Sequence, residues 1–574
     1  MFFTKYADLS AEYILSALGA LPCPSSVSPL FAGLAGDGLT AHFDSGVTLT
    51  LAASDETTLT IQENDGAPIT AAYKAMKLRE ALLLHVMIPG ALRGWNLVID
   101  TKTRAATAFE IWFGGDAPIP FREVQREIHR GYITCAKSAD PVSLRHLPTN
   151  RLENRGTYWK DDCGCEELDF YPSVCCASFV ELSRPRGSLT IVNPADYLKI
   201  SDNLYIFSRT ECEFSGTFVL EVLDLYKVEK IGLRIGFDEK DVLDYRMYKA
   251  CGKITGQGAT LEKLNDYGEA PFAERMAAMP KKKGMRMVYR PSQLHPPRGL
   301  TIEDVREMVS KNGAHTFDLA GGFEGEHPNL MELTELMVGK EFTVCFDEGT
   351  AWEYRVRSKT ELAWRVPGEE TWHEEMYHGF EIADELVAFS HFHTGDPYMR
   401  CVCICIDFKN RLSTCVDAWL GNSFAPYQAA HRAIFGVLEM DGVEPPRRQR
   451  QGFTTDLVGK MIAWNYNSSV SSMHVYSSPH SYSWTIYSES GAGGPMWSSP
   501  CLYVKLREDA YLMSWTEDGN NGSQGILIYN PNLMHDAGFF YQFETDYIKL
   551  HSFGAYARKI GELDILPYFE NKNR

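Results

Sequence analysis

Positive charge is scarce in this 574-residue chain. Its 56 Lys and Arg face 75 Asp and Glu, a formal charge of −19, which excludes nucleic acid and anionic membrane as default partners. Cysteine is sparse too: 14 residues are far too few for a disulfide scaffold in a chain of this length. No apolar run approaches the roughly 18 residues of a membrane-spanning helix. The sequence lacks a Gly-x-Gly-x-x-Gly after a strand, a P-loop, a Gly-x-Ser-x-Gly elbow and a His-Glu-x-x-His pair. Those absences argue against a nucleotide cofactor, a serine hydrolase and a zinc protease.

Aromatic residues are plentiful instead, at 12% of the chain with 28 Tyr, 30 Phe and 11 Trp. Such content suits β-rich folds with ring-lined interiors. Near the N-terminus the apolar run from Tyr13 to Leu21 follows Asp8 and Glu12, where a secretory signal carries positive charge. It is read as an amphipathic starter helix, and a cytoplasmic location is expected.

The chain repeats itself. LAGDGLTAHFDSG (34–46) aligns with MVGKEFTVCFDEG (337–349), and NLVIDTKTRAATAFEIWFG (96–114) with CICIDFKNRLSTCVDAWLG (403–421). YLKISDNLYIFSRTE (197–211) aligns with YVKLREDAYLMSWTE (503–517). The offsets stay near 300 residues, so the sequence is two copies of one unit. Each copy halves again. Its first half runs from a Phe-Asp-x-Gly turn to a Trp-x-Gly stop, and FREVQREIHRGYI or YQAAHRAIFGVLEM follows, read as a helical bridge.

Within each quarter, five- to eight-residue segments alternate apolar and polar, and turn signals recur every 8–12 residues. The expected fold is all-β: four small antiparallel barrels in two tandem pairs, with short bridging helices. The expected domains are 1–146, 147–270, a linker at 271–299 that contains the Lys281–Lys283 run, 300–444 and 445–574.

The quarters that begin at Leu34 and Met337 resemble the N-terminal domain of the molybdenum cofactor biosynthesis protein F (MoaF) family. The signs are [LMV]-x-G-x-x-[FL]-T-x-x-F-D-x-G and the later Ile-Asp segment. The quarters near Gly156 and Gly459 resemble that family's C-terminal domain, most clearly in HVYSSPHSYSWTIY and KLREDAYLMSWTEDG. This resemblance implies calycin, lipocalin-like barrels; the family name reflects operon context more than a known reaction. Ala510–Phe540 is also similar to the centre of phenolic acid decarboxylases, in which a Ser-Trp-Thr-Glu segment supplies an acid/base glutamate. Glu517 stands at the matching position, and Trp464-Asn465-Tyr466 replaces that family's Tyr-x-Tyr pair. Its Gly-Arg-Trp arginine has no counterpart in GGPMWSS (493–499), which argues against decarboxylation of a phenolic acid.

Glu517 corresponds to Ile88, Glu211 and His393 in the other quarters. Ile88 cannot move a proton, so the first quarter reads as filled; Glu211 and Arg209 are read as a structural pair, with catalysis the lesser alternative. The fourth quarter carries the strongest pocket signature. Glu517 and Tyr466 are its candidate catalytic groups, and Trp464, Trp515, His474, Tyr476, Tyr482 and Trp484 its candidate binding residues. A carboxyl desolvated among rings has its pKa raised toward acid/base range. His391 and His393 are the second catalytic candidates, two imidazoles on one strand face. A metal on this pair, with Cys401, Cys403 or Cys405 opposite, is weighed but not adopted, because a third ligand is poorly patterned.

The sequence therefore predicts an enzyme without cofactor or metal that acts on a small apolar or phenolic substrate of secondary metabolism. Lyase, isomerase and cyclase chemistry stay open. A non-catalytic binding protein and a molybdenum cofactor accessory protein are the alternatives, and oligomeric state is left open.

Overall fold

A computed structural model describes residues 9–20, 38–114, 124–172, 175–183, 190–211, 216–238, 241–259, 307, 314–318, 327–394, 396, 400–421, 429–467, 470–488, 496–517, 523–544 and 547–570. The 271–299 linker, with its lysine run, lies outside them. The chain divides into two compact units, the first holding the first two barrels and the second the last two. Each barrel is an antiparallel ring of eight strands.

The first barrel runs through Leu39–Phe43, Thr48–Ala53, Thr58–Glu63, Ile69–Leu78, Ala81–Met87, Arg93–Asp100, Ala105–Phe113 and Val124–Cys135. It closes where the eighth strand pairs with the first, Leu39 opposite Cys135. The third barrel repeats this order from Glu341–Phe346 to Ala429–Glu439 and closes in the same way, Phe346 opposite Gly436. Both closures need a glycine. A Cβ at Gly131 would collide with the His42 carbonyl, and one at Gly436 with the Cys345 carbonyl, so a side chain at either position would push the paired strands apart.

The repeated motifs prove to be turn and anchor chemistry. Asp44 of the first Phe-Asp-x-Gly turn accepts from the Arg145 guanidinium, and Asp347 of the second accepts from Arg450. Each arginine thereby pins the segment leaving its barrel to the turn after the first strand. Asp100 and Asp407, of the repeated Ile-Asp pair, accept backbone N–H groups of the next turn, from Lys102 and Asn410 respectively.

The second barrel comprises Arg155–Asp161, Glu166–Tyr171, Cys176–Glu181, Thr190–Ser201, Leu204–Glu211, Thr217–Asp224, Glu229–Phe237 and Leu243–Gln257. Its third strand pairs with its fourth and its eighth with its first, which closes the ring. The fourth barrel follows the same path through Lys460–Asn465, Val470–Ser478, Ser481–Ser488, Met496–Arg507, Ala510–Glu517, Ser523–Asn530 and His535–Glu544. Its eighth strand is broken in two, Tyr547–Phe553 on the seventh strand and Tyr556–Glu562 on the first. The break falls at Gly554, where a Cβ would crowd the backbone of Asn329 and Leu330. A parallel strand, Ala314–Asp318, adds to the outer edge of Tyr547–Phe553.

Within each unit the barrels share one apolar seam. In the first, Leu83, Val98, Phe109 and Ile111 pack against Leu204, Ile206, Leu220, Val222 and Leu233. In the second, Cys401, Cys403, Cys405 and Phe380 pack against Leu512, Ile526, Ile528 and Phe539. Burial of this kind is worth roughly 25 cal/mol per Å² of apolar surface, so the seams contribute substantially to each pair's stability.

One expectation is corrected. The segments read as bridging helices are the eighth strands of the first and third barrels, Val124–Cys135 and Ala429–Glu439. Pairing along both edges satisfies their backbone and overrides the helix propensity of their Glu, Arg, Gln and Ala residues. The cysteine row does not face the histidine pair, because it lies on the outer, seam-facing side of its strand. Among the described residues the helices are α1 (Ala11–Ala20), which is the starter helix and packs Ile14 into the first seam, and α2 (Leu566–Glu570).

Candidate functional site

The fifth strand brings the four compared residues to one register position. Continuing the ladder between strands four and five sets Ala71 against Ile88, Asn193 against Glu211, Glu375 against His393, and Ser499 against Glu517. Side chains two apart share a face, so each of these follows the interior residues of its strand.

The first barrel is filled at this position. Leu82, Leu84, Val86 and Ile88 join one apolar cluster inside it. His85 points the other way, is fully buried, and bonds to Asn96 and the Tyr245 hydroxyl, each at 2.6 Å. Burial lowers its pKa to about 4. His42 is partly buried and meets the Thr134 hydroxyl.

The second barrel holds charge. Arg209 donates to Glu167 and Asp169, both at 2.9 Å, and its Nε lies 3.7 Å from Glu211. Lys230 contacts Glu167 and Glu221 at 2.7 Å and Asp169 at 3.4 Å. The main partner of Glu211 is Arg234, which donates through two nitrogens at 2.5 and 2.7 Å. Burial and the neighbouring Glu167 charge raise the Asp169 pKa.

In the third barrel the two histidines differ. His391 Nδ1 donates to the Phe392 carbonyl at 2.8 Å, and Nε2 accepts from the Tyr354 hydroxyl at 3.0 Å. Both nitrogens are thus engaged, and burial lowers the pKa to about 4. His393 is stacked on Trp364 with centroids 3.8 Å apart, meets Trp352 edge-on, and leaves Nε2 without a partner. Opposite it, Glu375 accepts from the backbone N–H and hydroxyl of Thr394.

The fourth barrel is lined by rings that form a circuit. Trp464 meets His474 (5.8 Å between centroids), His474 meets Tyr482 (5.1 Å), and Tyr482 meets Trp515 (5.9 Å). Trp515 meets Phe540 (5.6 Å), Phe540 meets Phe553 (5.4 Å), and Phe553 returns to Tyr466 (6.1 Å). Five strands and the end of the first thus contribute to one girdle. The Trp515 indole lies against the sheet over Gly525, where any Cβ would collide with the ring. That contact fixes the wall, and Trp515 Nε1 donates to Glu517 Oε1 at 3.3 Å.

Glu517 is 6% exposed, and its neighbours across both ladders are Ser499 and Ser523. Ser523 Oγ has no partner among the described residues. Hydroxyls run from Tyr466 to Ser472 to His474 Nε2 in steps of 3.2 Å, and His474 Nδ1 is left unpartnered. Burial holds the imidazole neutral, its pKa lowered to about 3, and raises the Tyr466 phenol. Tyr476 is fully buried beneath the girdle, stacked near Tyr482 and edge-on to Tyr503. Trp484 stands apart from the circuit, partly exposed and stacked on Trp497 at 4.6 Å. Sequence reading missed Asp536. It is fully buried, accepts the Ala555 N–H, leaves Oδ2 unpartnered and has its pKa raised by burial. Its signal was the offset of 306, which sets it at the position of Lys230.

Fold and interior together define a tandem-duplicated protein of small eight-stranded antiparallel barrels, the pairs repeating in order. Residues 315–422 match the family model of the MoaF N-terminal domain, and residues 451–563 that of the MoaF C-terminal domain. The second half of the chain thus matches both domains of that family in their order, and the first half repeats its strand order. No curated protein matches the chain.

Proposed function

We propose that the fourth barrel binds a small phenolic or otherwise aromatic molecule, and that Glu517 moves a proton on it without a cofactor. The observation that carries this reading is the ring girdle with a buried carboxyl at its edge, held by Trp515 and flanked by the unpartnered Ser523 hydroxyl. Rings exclude water and orient a planar ligand. A carboxyl within reach of a bound ligand can donate or accept a proton, and a hydroxyl within reach stabilises a developing oxyanion. The lyase or isomerase assignment rests on this chemistry. His391 and His393 are the weaker catalytic candidates, because both His391 nitrogens are already bonded.

The test uses the full chain with p-coumarate, ferulate and p-cresol, with tryptophan fluorescence for binding and NMR in D2O for deuterium exchange or product. The reading predicts binding, and turnover or exchange that falls at least about 100-fold in Glu517→Gln with binding retained. Binding without any chemistry in the wild type selects the carrier alternative. No binding of any of the three overturns the site.

A further inference from the structure

A buried carboxamide without partners marks a second site, in a different barrel. Asn193 lies on the fourth strand of the second barrel, two residues before Ala195, which pairs with Arg209. Its side chain therefore shares the interior face of Ala195 and Tyr197, both members of that barrel's core. Asn193 is 0% exposed, and neither Oδ1 nor Nδ2 has a hydrogen-bond partner among the described residues. Native proteins seldom leave both ends of a buried amide unsatisfied, because each group forfeits its hydration without return.

The charges nearby are already engaged. Glu211 takes two bonds from Arg234, and Arg209 and Lys230 are held by Glu167, Asp169 and Glu221. Arg209 Nε and Glu221 Oε2 lack a hydrogen bond of their own, but both groups are ion-paired; among the described residues of this barrel, Asn193 alone has a donor and an acceptor side by side with no partner for either. A carboxamide so placed is complemented in a single plane by a group with an adjacent N–H and C=O. Ring faces line the same interior: Tyr197 and Phe207 pack 5.4 Å apart, and Phe179 lies 4.2 Å from the Arg209 guanidinium.

We propose that the second barrel binds a small uncharged planar molecule through an amide or lactam edge, whose N–H donates to Asn193 Oδ1 while its C=O accepts from Nδ2. This site differs from the phenol site in kind. At the same register position the fourth barrel has Ser499, and the position of Arg234 is taken by Phe540.

Uracil, which carries the required edge, serves as the probe on the full chain, followed by saturation-transfer NMR and thermal unfolding. Uracil is expected to bind the wild type and raise its unfolding temperature. The nearly isosteric Asn193→Leu variant should lose at least tenfold in uracil affinity, and its ligand-free form should unfold at a higher temperature than the wild type, since an unsatisfied amide has been removed. Asn193→Thr, which suits a strand, gives a second reading of the lost affinity should the leucine variant fail to fold. Glu517→Gln should bind uracil as the wild type does, so failure of the phenol reading leaves this result intact. Absent uracil binding, binding that survives both Asn193 substitutions, or a lower unfolding temperature for a folded Asn193→Leu chain overturns the proposal.

Discussion

The second and fourth barrels share a fold and a register, yet their interiors are opposite in chemistry. Trp159 and Trp464 hold the same place on the first strand, Tyr171 and Tyr476 on the second, and Glu211 and Glu517 on the fifth. Around these constants the charged set has been exchanged. Glu167 and Asp169 become Ser472 and His474, Arg209 becomes Trp515, and Glu221 becomes Leu527. Lys230, Arg234 and Arg246 become Asp536, Phe540 and His551. One barrel satisfies its interior with ion pairs, and the other lines it with rings. The same glutamate therefore has two settings: clasped by a guanidinium in one, beside an indole N–H in the other. Identity of a residue across repeats does not transfer its role; what surrounds it decides.

The largest expected effect breaks the charged interior. Lys230→Met leaves Glu167 and Glu221 without a cation that lies 2.7 Å from each, and breaking a buried ionic network costs about 3–5 kcal/mol. Denaturant unfolding of the full chain checks this, and a loss below about 1 kcal/mol would mean that the network is not what holds the second barrel. Next comes Gly525→Ala. Its methyl collides with the Trp515 ring and forces the wall to move, at about 1–3 kcal/mol, with loss of the Trp515–Glu517 bond. The corresponding position in the second barrel is Val219, opposite Arg209, so Val219→Ala should leave the charged interior in place.

A sharper contrast is the paired substitution Glu211→Gln and Glu517→Gln. The first removes the charge that Arg234 grips and should cost about 2–4 kcal/mol. The second should change unfolding stability by under about 1 kcal/mol while abolishing the proposed chemistry. Equal stability losses in the two would erase the distinction.

The smallest effect is in pH dependence, and its sign differs between the interiors. His474 is lowered by burial from 6.5 to about 3, so its contribution is fully present above pH 6.5 and is lost as pH falls toward 3. Asp169 is raised from 3.8, so its contribution is present below that value and is lost as pH climbs through the raised one. Unfolding midpoints of His474→Gln and Asp169→Asn, taken against wild type across pH 4–8, should therefore diverge in opposite directions.

The duplication was legible because its markers are turn chemistry, which tolerates little change. Asp44 and Asp347 must meet an arginine, and Asp100 and Asp407 must cap a turn. The ring-bearing positions of the fourth barrel were legible because alternation places Trp515 and Glu517 on one face. The eighth strands were not. Glu127, Arg130 and their counterparts carry helix propensity, and only closure against the first strand decides their state. The charged interior was hidden for another reason. Leu204, Ile206, Leu220 and Val222 face the neighbouring barrel, so both faces of these strands carry apolar residues and apolarity does not mark which face holds the charges. Asn193 left no trace in the sequence at all, since an unsatisfied amide is a property of packing.

The most direct test of the central contrast is a crystal structure of the full chain soaked with p-cresol. The account predicts the phenol ring within the circuit of Trp464, His474, Tyr482, Trp515, Phe540 and Phe553, its hydroxyl turned toward Glu517, and none within the charged interior of the second barrel. A circuit of rings closed on itself, with p-cresol absent or bound outside it, would contradict the account.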